Sequence, residues 1–151
     1  MKMMKITYIM GCLPLLLSNV SAKANDGSVK IVTFKLLGLG SHPDGRPPIY
    51  PRSINELAGK KVKITGFVSP YDDPNHMIKL MLTEGAVGCF FCNPPEENGV
   101  VLVRFPKNAK PLKWDSDTLT IEGVFHLMGS DKNDDESNGF MYIIDDARVV
   151  K

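Results

Sequence analysis

The chain has 151 residues, with 18 lysines and arginines against 17 aspartates and glutamates and only 3 cysteines. A net charge of +1 builds no basic field to gather phosphates, so no nucleic-acid partner is expected. The length suits one domain with a modest core, and no repeat period recurs along it.

Residues 1–24 read as an export leader. Lys2 and Lys5 form a basic start, "ITYIMGCLPLLL" (6–17) is a short apolar core, and Ala22-Lys23-Ala24 offers small residues for cleavage after Ala22 or Ala24. The apolar run falls short of the ~20 residues a membrane span needs, so no span is expected. Cys12 leaves with this leader, which places the mature chain in the periplasm, an oxidising compartment. Lys2, Lys5 and Lys23 leave with it and no acid does, so 15 basic residues then face 17 acidic ones, a net of about −2.

Residues 25–56 form an N-terminal strand and arm. "SVKIVTFKLL" (28–37) is strand-like, and "GLGSHPDGRPPIYPR" (38–52) is too rich in proline and glycine for regular structure. The arm is expected to lie extended over a barrel domain spanning 57–151. There, "KKVKITGFV" (60–68) puts Val62, Ile64 and Val68 on one face, with Gly66 a point where a long strand bends. "HMIKLML" (76–82) turns Ile78, Leu80 and Leu82 inward, and "VVLVRF" (100–105) follows the loop 84–98. A connector bearing Trp114, expected as a plug on one barrel end, leads to "TLTIEGVFHLM" (118–128). The acidic loop "GSDKNDDESNG" (129–139) joins this to "FMYIIDDARVV" (140–150). Five strands and no evident helix predict an all-β fold, a small five-stranded OB-like antiparallel barrel whose closure hides its edges.

The loop "GCFFCNPPEENG" (88–99) holds Cys89 and Cys92, and three readings of the pair stay open. A disulfide would staple the loop, closing a very small ring for little entropic gain. A Cys-x-x-Cys pair also offers two thiolates to zinc or cuprous ion, though a closed zinc site needs further ligands. A redox pair is disfavoured, because Pro94-Pro95 opposes the helix that such a pair normally opens. Among the histidines, His76 falls at the far end of its strand and His42 lies in the arm. His126 is the expected third ligand, since in an up-and-down order its strand returns to the rim of the loop. Glu96 and Glu97 sit beside the cysteines as possible oxygen donors or ordinary surface acids.

The loop at 131–142 lacks the glycine and the final glutamate of a calcium loop, and no nucleophile-and-base set stands out, so no enzymatic activity is expected. Two functional readings remain. One is a periplasmic accessory module handling zinc or copper through Cys89, Cys92 and His126. The other is an envelope protein-interaction module, in which Phe90, Phe91, Pro94, Pro95 and Asn98 present a rigid contact and the cysteines form a disulfide.

"LAGKKVKITGFVSP" (57–70), "MIKLMLTEGAVGC" (77–89) and "NPPEENGVVLV" (93–103) resemble a family of small exported bacterial proteins of unknown function. That family has a Gly-Lys-x-Val-x-Ile-x-Gly-Phe strand, a leucine-rich strand, then Cys-x-His, a proline run and an asparagine. The resemblance covers roughly residues 50–150 and matches Cys89, Pro94, Pro95 and Asn98 to the loop. It departs at Phe91, which occupies the histidine position, with Cys92 one residue further on. The resemblance implies work alongside metal transport but no established activity.

Overall fold

The structure, a computed structural model, describes residues 28–86, 94–115, 117–129 and 133–150. Cys12, Cys89, Cys92, Phe90 and Phe91 lie outside the described residues. The named elements are β1 (Lys30–Ile31), α1 (Phe34–Leu37), α2 (Arg52–Asn55), β2 (Lys61–Pro70), β3 (Lys79–Thr83), β4 (Val100–Arg104), β5 (Thr118–Leu127) and β6 (Tyr142–Val150).

Period-two alternation makes the strands: Val62, Ile64, Leu80, Leu82, Val101, Val103, Ile121, Phe125, Tyr142 and Ile144 all turn into one core. β2 pairs antiparallel with β3 from Phe67↔Thr83 to Pro70↔Leu80, and with β5 from Lys61↔Val124 to Phe67↔Thr118. β3 pairs with β4, β4 with β6, and β6 with β5, which closes a five-stranded barrel in the order β2-β3-β4-β6-β5. The all-β barrel reading therefore holds.

Two details of that reading are corrected. β4 and β6 run parallel, from Val101↔Tyr142 to Val103↔Ile144, so the barrel is mixed rather than antiparallel. The reason is parity, since a ring of five strands cannot alternate direction all the way round. The up-and-down order that would have brought His126 to the rim of the loop does not hold either, because β4 neighbours β6 and not β5.

Glycines sit where strands need room. A Cβ at Gly66 would stand 2.8 Å from the Phe34 ring and 2.9 Å from the Thr83 carbonyl oxygen. Gly123 faces a bulge in β6, and a Cβ there would come within 2.6 Å of the Asp145 carbonyl oxygen.

The arm is a structural part of the barrel. Only Lys30–Ile31 is strand, paired parallel with β2, because the Thr33 hydroxyl accepts from the Leu36 amide at 3.3 Å and caps α1. Val32, Phe34, Leu37, Ile54 and Leu57 join the barrel core, and the Tyr142 hydroxyl donates to the Leu37 carbonyl at 2.7 Å. Trp114, expected as the plug, is 46% exposed and donates to the Val68 carbonyl from the surface. Ile78, expected inward, is 38% exposed ahead of β3. Among the described residues no helix is long and apolar enough to cross a membrane.

Candidate functional site

The loop that leaves β3 rejoins the fold through a short 3-10 turn, Glu97–Gly99, just before β4. Asn98 fixes this exit: its side-chain amide donates to the Gly40 carbonyl at 2.9 Å and the Gly38 carbonyl at 3.3 Å. Those carbonyls belong to the arm immediately after α1. There Ser41 and Ile49 exchange two backbone hydrogen bonds of 3.0 and 2.7 Å, which set the next residue, His42. His42 Nδ1 lies 2.5 Å from Glu97 Oε2 across this junction.

Ser41, His42, Asp44, Glu96, Glu97, Asn98 and Met141 line a shallow cleft of about 380 Å³ at the loop exit. The His42 side chain is 26% exposed and that of Glu97 63%, so the pair faces water at the mouth of the cleft. In a neutral imidazole the nitrogen bonded to a carboxylate carries the proton, which leaves the other nitrogen, here Nε2, with the lone pair a metal would use. Histidines that bind metals are commonly oriented by such a carboxylate on the other ring nitrogen.

The other histidines are elsewhere. His126 lies outside the barrel core as the register partner of Ile143, its Nε2 3.6 Å from Asp145 Oδ2 and its side chain 31% exposed. Asp145 is in turn gripped by Arg104, at 2.6 Å from Nε and 2.8 Å from Nη2. His126 thus belongs to an ionic cluster on the barrel wall, whereas His42 is the histidine bonded to the cysteine-bearing loop. His76 is exposed in the turn before β3. Pro94 is exposed and Pro95 half-buried. Asn98, expected to face a partner, spends its amide on the arm. Among the described residues no group of three His, Cys, Asp or Glu side chains is placed to hold a metal ion.

The second feature of note is the ionic cluster. Lys79 on β3 and Arg104 on β4 are register partners. Lys79 Nζ reaches Glu136 Oε1 at 2.5 Å, and Arg104 Nη1 bonds Asp134. The guanidinium holds the Asp134 carboxyl below the usual carboxylate range, while Asp145 chiefly raises the Arg104 pKa above its ordinary value.

Sequence reasoning missed the pairing of His42 with Glu97. The two are 55 residues apart and share no periodicity; only the proline- and glycine-rich character of both segments signalled fixed loops.

Comparison with known proteins gives a consistent picture. The sequence profile of a family described as proteins of unknown function, DUF3299, matches residues 50–150. The fold is similar to the crystal structure of a DUF3299 family protein from Pseudomonas aeruginosa PAO1. That similarity has a TM-score of 0.52 at 17% identity and covers 82% of this chain and 97% of that one. Among curated proteins, nothing matches.

Proposed function

The chain belongs to the DUF3299 family of proteins of unknown function, and from that premise we propose that it is a binding module and not a catalyst. In this reading it is exported by its leader to the periplasm and takes a soft transition metal, zinc or cuprous copper, on the thiolates of Cys89 and Cys92. The observation that supports the reading is the His42–Glu97 pair, a carboxylate-oriented imidazole on the exit of the same loop. Thiolates select soft ions, and an imidazole suits both zinc and copper. We assign His42 as the third ligand in place of His126, because His42 is bonded to Glu97 at the exit of the cysteine-bearing loop, whereas His126 lies beside the Arg104–Asp145 pair on the barrel wall. Glu97 orients the ring, and Asn98 fixes the junction that brings loop and arm together.

The deciding experiment is a native intact mass, without reductant, of protein purified from the periplasm with no added metal. A zinc- or copper-sized increment is expected, absent from the Cys89→Ser, Cys92→Ser double variant. Glu97→Gln is expected to weaken metal affinity by about ten-fold or more, as loss of an orienting carboxylate does. An unchanged metal content in the double variant would sink the proposal. A mass two hydrogens below the reduced chain, with no adduct, would instead favour the interaction module with a Cys89–Cys92 disulfide.

A further inference from the structure

The connection between β5 and β6 is longer than its job requires. Leu127 pairs with Tyr142, and the Met128 amide donates to the Met141 carbonyl at 3.1 Å, so the hairpin is already closed beneath residues 129–140. A two-residue turn would suffice to join such strands. The chain instead carries an acidic strap across the outer wall to β3 and β4.

The strap is internally bonded. Asp134 Oδ1 accepts from the Glu136 amide at 3.1 Å, the Ser137 hydroxyl donates to the Asp134 carbonyl at 2.7 Å, and the Gly139 amide donates to the Glu136 carbonyl at 3.1 Å. This turn points Asp134 and Glu136 at the wall and leaves Asp135 exposed. Asp134 takes Arg104 Nη1, and Glu136 takes Lys79 Nζ.

On the wall side, Asp145, Tyr71 and Asp72 lie outside the strap, and Phe140 at its end packs on Tyr71. Asp145 holds Arg104 through Nε and Nη2, which fixes the guanidinium and leaves Nη1 as the donor on offer. The Tyr71 ring lies 6.0 Å from Lys79 Nζ, and Phe140 packs edge-on against Tyr71 at 5.7 Å. Asp72 meanwhile accepts from the Ile78 and Lys79 amides, at 3.4 and 3.3 Å, and shapes the turn beside the site. Two cations on adjacent strands, braced from behind, thus meet two carboxylates spaced two residues apart.

We propose that Lys79 and Arg104 form a docking site for an acidic peptide segment of a partner protein, bearing carboxylates two residues apart, and that Asp134 and Glu136 occupy this site in cis. A tethered occupant sits at high effective concentration, so a partner must outcompete it or meet the strap released. Exchange of one acidic segment for another keeps the charge balance of the wall, so neither cation is left unpaired during use.

The test uses the full chain and a labelled peptide with the sequence of residues 133–138, Asn-Asp-Asp-Glu-Ser-Asn, read by fluorescence anisotropy. The Asp134→Asn, Glu136→Gln variant is expected to bind it at least ten-fold more tightly than the parent, with affinity falling as salt rises. Asp135→Asn is expected to behave as the parent, and adding Lys79→Gln to the double variant is expected to abolish the gain. A second chain, with residues 129–140 replaced by Asn-Gly, removes the occupant together with Phe140 and keeps Lys79, Arg104, Asp145 and Tyr71 in place. Binding no tighter than the parent in either variant, or equal binding of a peptide with Asn and Gln in place of the two acids, overturns the proposal. So does loss of the β-sheet circular dichroism in both variants, because the strap would then be part of the fold and not an occupant.

Discussion

Tyr142 ties arm to barrel through one hydroxyl. It is fully buried, its ring stacks 5.8 Å from Phe125, and its hydroxyl donates to the Leu37 carbonyl. Tyr142→Phe leaves that carbonyl without its donor and is expected to cost about 1–2 kcal/mol, readable by urea denaturation. Gly40→Ala attacks the same joint from the other side, since its Cβ would stand 2.1 Å from the hydroxyl oxygen. It is expected to destabilise at least as much. Burial, and to a lesser degree Tyr50, pushes the Tyr142 phenol above its ordinary value. The folded state therefore holds a proton that the unfolded chain releases above its ordinary pKa of about 10. Stability should be unaffected below that pH and fall as pH rises beyond it, and this alkaline loss should shrink in Tyr142→Phe.

At the scale of elements, what the sequence showed depended on how local the cause was. Alternation alone located the barrel strands, because each strand's inward face is set by its own residues: Val62 and Ile64 are 0% and 2% exposed. The start of the arm was misread as a strand over 28–37, since the Thr33 cap that turns the chain into α1 is a single hydroxyl in an apolar run. Neighbour choice was not legible either, as nothing in "VVLVRF" says that its next partner is β6 and not β5. The candidate site failed for the same reason, because His42 and Glu97 meet only through the arm's path. The strap was legible as an acidic loop but not as a contact. Its fastening carries a pH signature. The Asp134 carboxyl, held low chiefly by Arg104, supports the closed strap above the ordinary carboxylate range and loses it only as pH falls through the depressed value. The Arg104 Nη1–H resonance should shift in that acidic window in the parent, and Asp134→Asn should remove the transition.

For the whole molecule, the arm and barrel share one core although the family match begins at residue 50. Val32, Phe34 and Leu37 are 3%, 7% and 0% exposed. Burying each stabilises by roughly 1.5–3 kcal/mol, so together they rival the ~5–15 kcal/mol total of a typical small domain. A chain starting at residue 50 is expected to lack cooperative unfolding, as measured by circular dichroism against denaturant. A folded barrel from that chain would show that the arm is only an appendage.

The closure of β2 against β5 also sets a timetable. Hairpin-like contacts between β2 and β3 or between β5 and β6 can form among near neighbours in the chain, whereas Thr65 and Thr120, bonded at 2.8 Å across the closing seam, are 55 residues apart. The loop-closure entropy for that meeting falls due before its contacts return anything, so the seam zips late and refolding belongs to the slow, millisecond-to-second class of β proteins. Side chains along the seam, Ile64 and Ile121 among them, would then govern how fast the barrel springs open more than how fast it forms. The lifetime of the native state is thus written mainly in one pair of strands.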